Sequence, residues 1–228
     1  GEALGLGAMC VNAGYADRVL TLASSHYATA EKQFRFPLEY GNQRPYSATW
    51  TVTGCGAVIV SSGDCRGKEA PLAKITAVTT GKIVDMDFHD SMNMGAAMAM
   101  AALDTIVRNF RDLGVDETHY DQIITGDLGT VGRRLLLDYL MQAGYRIESR
   151  YMDCGIEMFS PEEQDTHAGG SGCGCSAAVL CGYILPKLQS GEWKRVLFLP
   201  TGALLSTVSF NEGKSVPGIA HAVVLETG

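Results

Sequence analysis

The sequence lacks several features that would assign it to a broad class at once. It contains no apolar run of the ~18 residues that a transmembrane helix needs and no run of lysine or arginine. The net charge of −7 and the pI near 5.2 also argue against nucleic-acid binding. What remains is an acidic globular chain of 228 residues, 46% hydrophobic, which is enough for a substantial core.

The seven cysteines form neither a disulfide framework nor a zinc pattern. Their number is odd, and several lie inside apolar runs, as Cys10, Cys55 and Cys181 do. Zinc sites usually pair cysteines two to four residues apart and add a second pair, whereas one residue separates Cys173 from Cys175. We therefore expect reduced, mostly buried thiols, and no metal or cofactor.

The end of the chain repeats the order of elements found at its start. Helical spacing over 3–13 precedes a strand over 18–25, and 176–203 likewise contains a small-residue helix, a polar link and a strand. Each unit then closes with another hydrophobic strand, at 54–63 and 219–228. We interpret the pattern as a duplicated α/β unit.

The spacing of the two units predicts a longer parent protein. Roughly 110 residues separate the closing strand of the first unit from the helix of the second, and no such stretch precedes the first unit. We expect an N-terminally truncated form of a chain of roughly 340 residues. Residues 1–70 would then be the remainder of the N-terminal half, and residues 71–228 the C-terminal half. The alternative is a short protein with a chance similarity between its ends.

The segment between the two units alternates strands and helices. Their patterns predict a strand over 74–85, a helix over 92–114 that ends at Gly114, a strand over 121–127 and a helix over 130–144. This alternation favours an α/β fold with layered sheets and helices.

A glycine-rich stretch, HAGGSGCGCSAAVLCGY (167–183), is the first candidate site. It lacks the Lys-Ser/Thr of a P-loop, and no strand precedes it as a dinucleotide fingerprint requires. Glycines nevertheless let the backbone come close to a ligand, and the amides of a helix N-terminus favour an anion. An anion near Gly172 to Ser176 is one interpretation. The other is that the glycines only permit tight packing against the neighbouring half.

A second candidate follows the strand at 18–25, where open α/β sheets commonly bind ligands. Its hydroxyls, imidazole, cations and rings would suit a planar carboxylate, although no acidic residue completes a catalytic triad. The alternative is an ordinary surface or interface loop. The residues concerned are Ser24, Ser25, His26, Tyr27, Thr29, Lys32, Phe34, Arg35 and Phe36.

A third candidate, ITGDLGTVGRR (124–134), again joins a strand end to a helix. Asp127 is expected to cap that helix through its carboxylate, in preference to a catalytic role.

Four strings resemble the stage V sporulation protein AD family, within the thiolase and ketoacyl-synthase superfamily, and the resemblance covers essentially the whole chain. It implies a thiolase-like α/β fold of duplicated halves, with layered sheets, buried central helices and an incomplete first half. The strings are SSHYATAEKQFRFPLEYGNQRP (24–45), HDSMNMGAAMAMAALDTI (89–106), ITGDLGTVGRRLL (124–136) and DTHAGGSGCGCSAAVL (165–180).

The same resemblance implies binding without catalysis. Thiolase-like enzymes carry a nucleophilic cysteine on a turn before a helix like that at Glu2 to Asn12, so its counterpart would lie upstream of Gly1. One family histidine falls at Gly126, and His167 alone resembles a retained one. His167 is therefore only a weak catalytic candidate. The alternative is an active condensing or acyl-transfer enzyme that uses coenzyme A or acyl-carrier-protein thioesters.

The implied role is dipicolinic acid binding during its uptake into the forespore. The expected partners are dipicolinic acid, membrane proteins of the spore's dipicolinate transport assembly and a second copy of the chain, with no nucleic acid. The expected location is peripheral, on the cytoplasmic side of the forespore or spore inner membrane. The ligand-binding residues would be Ser24, Ser25, His26, Thr29, His167, Gly172 and Gly174.

Overall fold

The computed structural model describes residues 1–34, 44–63 and 71–228, with no side-chain description for residues 32–34. The predicted roles of the Lys32, Phe34, Arg35 and Phe36 side chains thus lie outside the described residues.

The helices are α1 Glu2–Asn12, α2 Tyr27–Phe34, α3 Met94–Leu113, α4 Gly129–Gln142, α5 Cys154–Glu157, α6 Pro161–Gln164, α7 Cys173–Val179, α8 Leu185–Gln189 and α9 Thr207–Asn211. The strands are β1 Arg18–Ser25, β2 Trp50–Thr51, β3 Gly54–Ser61, β4 Lys74–Thr79, β5 Gln122–Thr125, β6 Tyr151–Asp153, β7 Gly170–Ser171, β8 Arg195–Leu199, β9 Thr201–Ala203, β10 Gly218–Ala220 and β11 Ala222–Glu226.

Most predicted elements are present, and their ends have identifiable causes. β1 spans the residues predicted for it. α3 begins where the Asn93 side chain accepts a hydrogen bond from the Ala96 amide, and it ends at Gly114, whose φ of 65° is left-handed.

Five strands form the main sheet, in the order β4-β11-β8-β5-β6. β5 runs parallel to both β8 and β6, whereas β11 is antiparallel to both β8 and β4. β1 and β3 form a separate antiparallel pair, in register from Arg18 opposite Ser61 to Ser25 opposite Gly54.

The sheets and helices stack in layers, as the sequence predicts. α3 and α4 cover one face of the five-stranded sheet, where Ile106, Phe110 and Leu136 belong to one buried cluster. On the opposite face, Leu4 of α1 and Cys175 of α7 join Val223 of β11 in a second cluster. The β1–β3 pair packs on α1 and α7 in turn, so these two helices lie between two sheets. Such buried central helices explain why their sequences are rich in small residues.

The two ends of the chain share a local topology. α1 leads into β1, which pairs antiparallel with β3, and α7 and α8 lead into β8, which pairs antiparallel with β11. This agrees with a duplicated unit. The division of the chain at residue 70 stays a prediction.

Three predicted elements differ from the structure. The strand predicted over 219–228 is divided into β10, which pairs with β9, and β11, which belongs to the five-stranded sheet. β4 ends at Thr79, six residues before the predicted strand does, because the Gly81 amide donates to His221 Nδ1 rather than to a strand. The helix expected after Ser176 is interrupted by a wide π turn at Leu180–Ile184. Pro186 follows that turn, and because proline has no amide hydrogen it cannot continue the regular helical bonding.

Candidate functional site

Two segments that are far apart in sequence meet at the first turn of α7. The Ser25 hydroxyl donates to the Val52 carbonyl oxygen at 2.6 Å and accepts the Gly174 amide at 3.0 Å. The Cys173 thiol donates to the Ser24 carbonyl oxygen at 2.8 Å. The end of β1 and the glycine-rich stretch, predicted as separate candidates, therefore form one site.

The glycines at this junction permit very close packing. A Cβ on Gly174 would lie 2.5 Å from Ser25 Oγ and 2.7 Å from its backbone nitrogen. Gly172 has a φ of 95°, which side chains rarely adopt. The Gly172 and Gly174 amides already have acceptors within the chain, on Asp127 and Ser25. These contacts support the packing interpretation, and ligand binding by the two glycines stays a prediction.

Asp127 links the end of β5 to this junction. Its Oδ2 accepts the Gly172 amide at 2.9 Å, and its Oδ1 accepts the Thr201 hydroxyl at 2.9 Å. Thr201 Oγ in turn accepts the Asp127 amide at 3.2 Å. The prediction that Asp127 caps α4 is wrong, because no side chain caps that helix from the position before it, and the Asp127 carboxylate is turned toward α7.

Asp153, which the sequence analysis missed, satisfies the start of α4 from the neighbouring strand. Its Oδ2 accepts the Leu128 amide at 2.9 Å and the Thr125 hydroxyl at 2.6 Å. Its Oδ1 accepts the amides of Gly129 and Ile156, both at 3.2 Å. An aspartate directly before a short helix was the available signal, but nothing in the sequence shows that it also reaches α4.

Burial dominates the electrostatics around the two carboxyl groups. It raises the pKa of Asp127 to about 7, with hydrogen bonds from Gly172 and Thr201 acting against the rise and Asp153 adding to it. Burial likewise raises the pKa of Asp153, against the hydrogen bonds that it accepts. The Cys154 and Cys175 thiols have raised pKa values, through burial first and these carboxylates second. Both thiols are therefore protonated at neutral pH and poor nucleophiles.

A cavity of about 350 Å³ opens beside this junction, between α1, β1, β3, α7 and the segments after β8. Its wall is largely apolar and includes Leu4, Val58 and Ile219. Among the polar residues that line it are Glu2, Cys173, Ser176, Thr201 and His221. A volume of this size falls within the ~300–1,000 Å³ typical of small-molecule pockets.

His221, also missed in the sequence, is a neutral hydrogen-bond donor on this wall. Its Nδ1 accepts the Gly81 amide at 3.2 Å, which places the proton of the neutral ring on Nε2. Burial lowers the pKa of His221, against the opposing effect of Glu2, so the ring is uncharged at neutral pH. Ser176, a residue only 8% exposed, lines the same wall and carries a neutral hydroxyl.

The remaining residues of the β1 candidate lie near a second cavity of about 340 Å³. Tyr27 and Trp50 line it, with their rings stacked 5.3 Å apart, and the Arg44 guanidinium lies 4.5 Å from the Trp50 ring centre. His26 and Thr29 are exposed next to Tyr27. Their predicted ligand-binding role stays a prediction.

His167 faces a different part of the chain. Its Nδ1 lies 3.0 Å from the Pro45 carbonyl oxygen, its Nε2 3.3 Å from Asp165 Oδ1, and its ring 5.5 Å from that of Tyr46. The described contacts of its ring are thus with the loop before β2 and with Asp165, two residues earlier in the chain. Both ring nitrogens thus have partners within the chain, and a catalytic role for His167 stays a prediction.

Gly126, the position at which the family histidine was expected, has no room for a side chain. A Cβ there would lie 2.8 Å from the Thr201 nitrogen and 3.0 Å from Pro200 Cα. Because both neighbours are backbone atoms, any larger residue would require the chain to move.

The described residues form neither a metal cluster nor a membrane-spanning helix. Within residues 1–34, 44–63 and 71–228, histidine, cysteine and acidic side chains form no cluster of three or more that would hold a metal. None of the helices in that part of the chain combines the length and apolar character needed to cross a bilayer.

Comparison with known proteins identifies the family. The family model for stage V sporulation protein AD matches residues 1–226. The chain belongs to the stage V sporulation protein AD family. It is 44% identical to stage V sporulation protein AD of Bacillus subtilis (strain 168) over 227 residues, which is 99% of this chain and 64% of that relative. The chain thus spans less than two thirds of the relative's length, and the predicted truncation stays a prediction.

Solved structures place the family's fold among the thiolases and ketoacyl synthases. The chain resembles the Acat5 thiolase from Ascaris suum, solved with coenzyme A, at a TM-score of 0.57 and 12% identity, covering 100% of this chain and 76% of that one. It resembles 3-oxoacyl-(acyl carrier protein) synthase III from Pseudomonas aeruginosa PAO1 at a TM-score of 0.57 and 14% identity, covering 99% and 63%. The thiolase-like fold class is thereby confirmed.

Proposed function

We propose that this member of the stage V sporulation protein AD family binds dipicolinic acid and takes part in its uptake into the forespore, without acyl-transfer chemistry. The observation that carries the proposal is the packing at Gly126. The position that resembles a catalytic histidine of the superfamily is closed against any side chain by Pro200 and Thr201. An acyl transfer that needs a base there has none.

The thiols beside the site support the same conclusion. Cys154 and Cys175 are buried, and their pKa values are raised, so they do not supply the thiolate that acyl transfer requires. The fold is retained, while neither Gly126 nor these two thiols supply the base or the thiolate that acyl transfer would need.

The cavity of about 350 Å³ suits one edge of a flat aromatic acid. Its apolar wall accommodates a ring, and Ser176 together with Nε2 of His221 offers donors to carboxylate oxygens. We propose that the protein acts with membrane partners on the cytoplasmic side of the forespore inner membrane, as a homodimer. Its membership in a sporulation family supports the setting in sporulation.

Calorimetric titration of the full-length protein with dipicolinate, beside acetyl-coenzyme A and a thioester turnover assay, tests this function. We expect saturable dipicolinate binding and no turnover. Ser176→Ala and His221→Gln should each weaken binding about tenfold, the loss of about one hydrogen bond to a charged acceptor. Thioester turnover without dipicolinate binding would establish the condensing or acyl-transfer alternative instead.

A further inference from the structure

Asp127 links three segments of the chain through its side chain. It stands at the carboxyl end of β5, and its two oxygens hold the Thr201 hydroxyl and the Gly172 amide, 74 and 45 residues away in sequence. Thr201 and Cys173, the residue after Gly172, both line the cavity of about 350 Å³. One carboxyl group therefore fixes two parts of that cavity's wall.

The two partners of Asp127 respond differently to a proton. A threonine hydroxyl can donate or accept, so Thr201 can turn to accept a hydrogen bond from a protonated Oδ1. A backbone amide can only donate, so Gly172 keeps its bond only as long as Oδ2 accepts. When the carboxylate becomes a neutral acid, that bond loses its charge assistance, and charge-assisted bonds are roughly twice as strong as neutral ones.

The groups around Asp127 do not keep it ionised. Asp153, at the end of β6, is the charged group that acts on it and disfavours a second negative charge. The thiols that interact with it, Cys154 on α5 and Cys175 on α7, are protonated at neutral pH. In the described residues, only hydrogen bonds from Gly172 and Thr201 favour the charged form. With the pKa near 7, both forms are populated at physiological pH.

We propose that Asp127 is a proton-sensitive latch, which holds the Gly172 turn against the end of β5 when ionised and loosens it when protonated. The turn has further attachments that keep it from unfolding, since Trp50 and Thr51 pair with Gly170 and Ser171. Protonation thus changes how firmly the start of α7 is held beside the cavity. The inference concerns the chain itself and does not depend on the identity of the ligand.

Gly174 provides an internal control. Its amide lies in the same turn and donates to the Ser25 hydroxyl, a partner that does not ionise. A proton-dependent change that spreads through the whole turn would appear at both glycines. A change in the Asp127 bond alone would appear at Gly172.

Glycine-selective nitrogen-15 labelling of the full chain allows this test by NMR. The Gly172 amide proton shift is followed from about pH 5 to about pH 9, two units on either side of the expected midpoint. We expect the chemical shift of the Gly172 amide proton to change in a single step with a midpoint near pH 7 and to be lower at acidic pH. Gly174 should show no such step. Asp127→Asn, which mimics the neutral acid, should abolish the step.

Thr201→Val gives an independent variant that leaves the carboxyl group in place. It removes the hydroxyl that favours the ionised form, so the Gly172 midpoint should move to higher pH. A Gly172 shift that stays flat in the wild-type protein overturns the latch. A step that survives in Asp127→Asn also overturns the latch, because a group other than Asp127 would then be titrating. Asp153 would be the first residue to test.

Discussion

Ser25 Oγ and the Gly174 amide nitrogen lie 3.0 Å apart across 149 residues of sequence, and the same hydroxyl reaches the Val52 carbonyl oxygen. One serine side chain therefore joins the end of β1, the segment before β3 and the first turn of α7. Ser25, which the sequence predicts to contact a ligand, therefore also connects three segments of the fold.

Replacing Ser25 by alanine should destabilise the fold as well as disturb the site. The variant leaves the buried Gly174 amide without its acceptor, which costs about 1–3 kcal/mol. Denaturant unfolding measures this loss. Ser24→Ala is the matched control, since Ser24 is exposed and meets Cys173 through its backbone carbonyl. Equal unfolding midpoints for the two variants would show that the Ser25 contact contributes little.

A single methyl group at Gly174 should be badly tolerated. It would lie 2.5 Å from Ser25 Oγ and 2.7 Å from the Ser25 nitrogen, so α7 would have to shift away from β1. We expect Gly174→Ala to lose several kcal/mol of stability or to fail to fold, and Gly174→Val to be worse. Gly182→Ala, further along the same helical segment with open space around it, should stay close to wild type. Similar melting temperatures for Gly174→Ala and Gly182→Ala would contradict the close approach.

The unfolding free energy should carry a pH dependence from Asp127. Its pKa is raised from 3.8 to about 7 in the folded chain. Between these two pH values the native state therefore keeps a proton that the unfolded state has already released. This contribution to stability is complete below about pH 4 and is lost as the pH rises through about 7. From pH 4 to pH 8, Asp127→Asn should gain about 3–4 kcal/mol relative to wild type, at ~1.4 kcal/mol for each unit of the shift. A constant difference across that range would show that Asp127 titrates normally.

The six described cysteines should react at very different rates with a thiol reagent. Cys55 and Cys173 are exposed, whereas Cys154 and Cys175 are buried. Burial also raises the pKa values of the two buried thiols. At neutral pH, mass spectrometry should find the exposed pair modified first and the buried pair protected until the protein unfolds. Rapid native-state modification of Cys175 would contradict its position in the core.

The sequence predicts the elements well because their signals are local. The Asn93 and Gly114 ends of α3 are set by residues within one turn, and the small residues of α7 reflect its place between two sheets. The predicted extent of β4 failed because its end depends on His221, 140 residues away. The alternation of apolar and polar residues, on which the strand prediction rests, contains no information about that contact.

The site was only partly accessible from sequence for the same reason. Asp127 was found, but it was assigned to the helix that follows it, since proximity along the chain is the only distance that a sequence gives. Its real partners come from the segments after β7 and β8, and the cap of α4 comes from Asp153. Ser176 belongs to the glycine-rich candidate, whereas His221 carries no motif, and only the fold brings the two residues to one cavity.

The close packing of α7 on β1 and β3 also affects the order in which the chain folds. Gly54 and Gly56 meet the backbone of α7 so closely that the helix fits only against a strand pair that is already formed and in register. Contacts of such long sequence separation are slow to form, because a large loop must close before they can be made. We therefore expect β1 and β3 to pair first, and the docking of α7 to be a late step in folding.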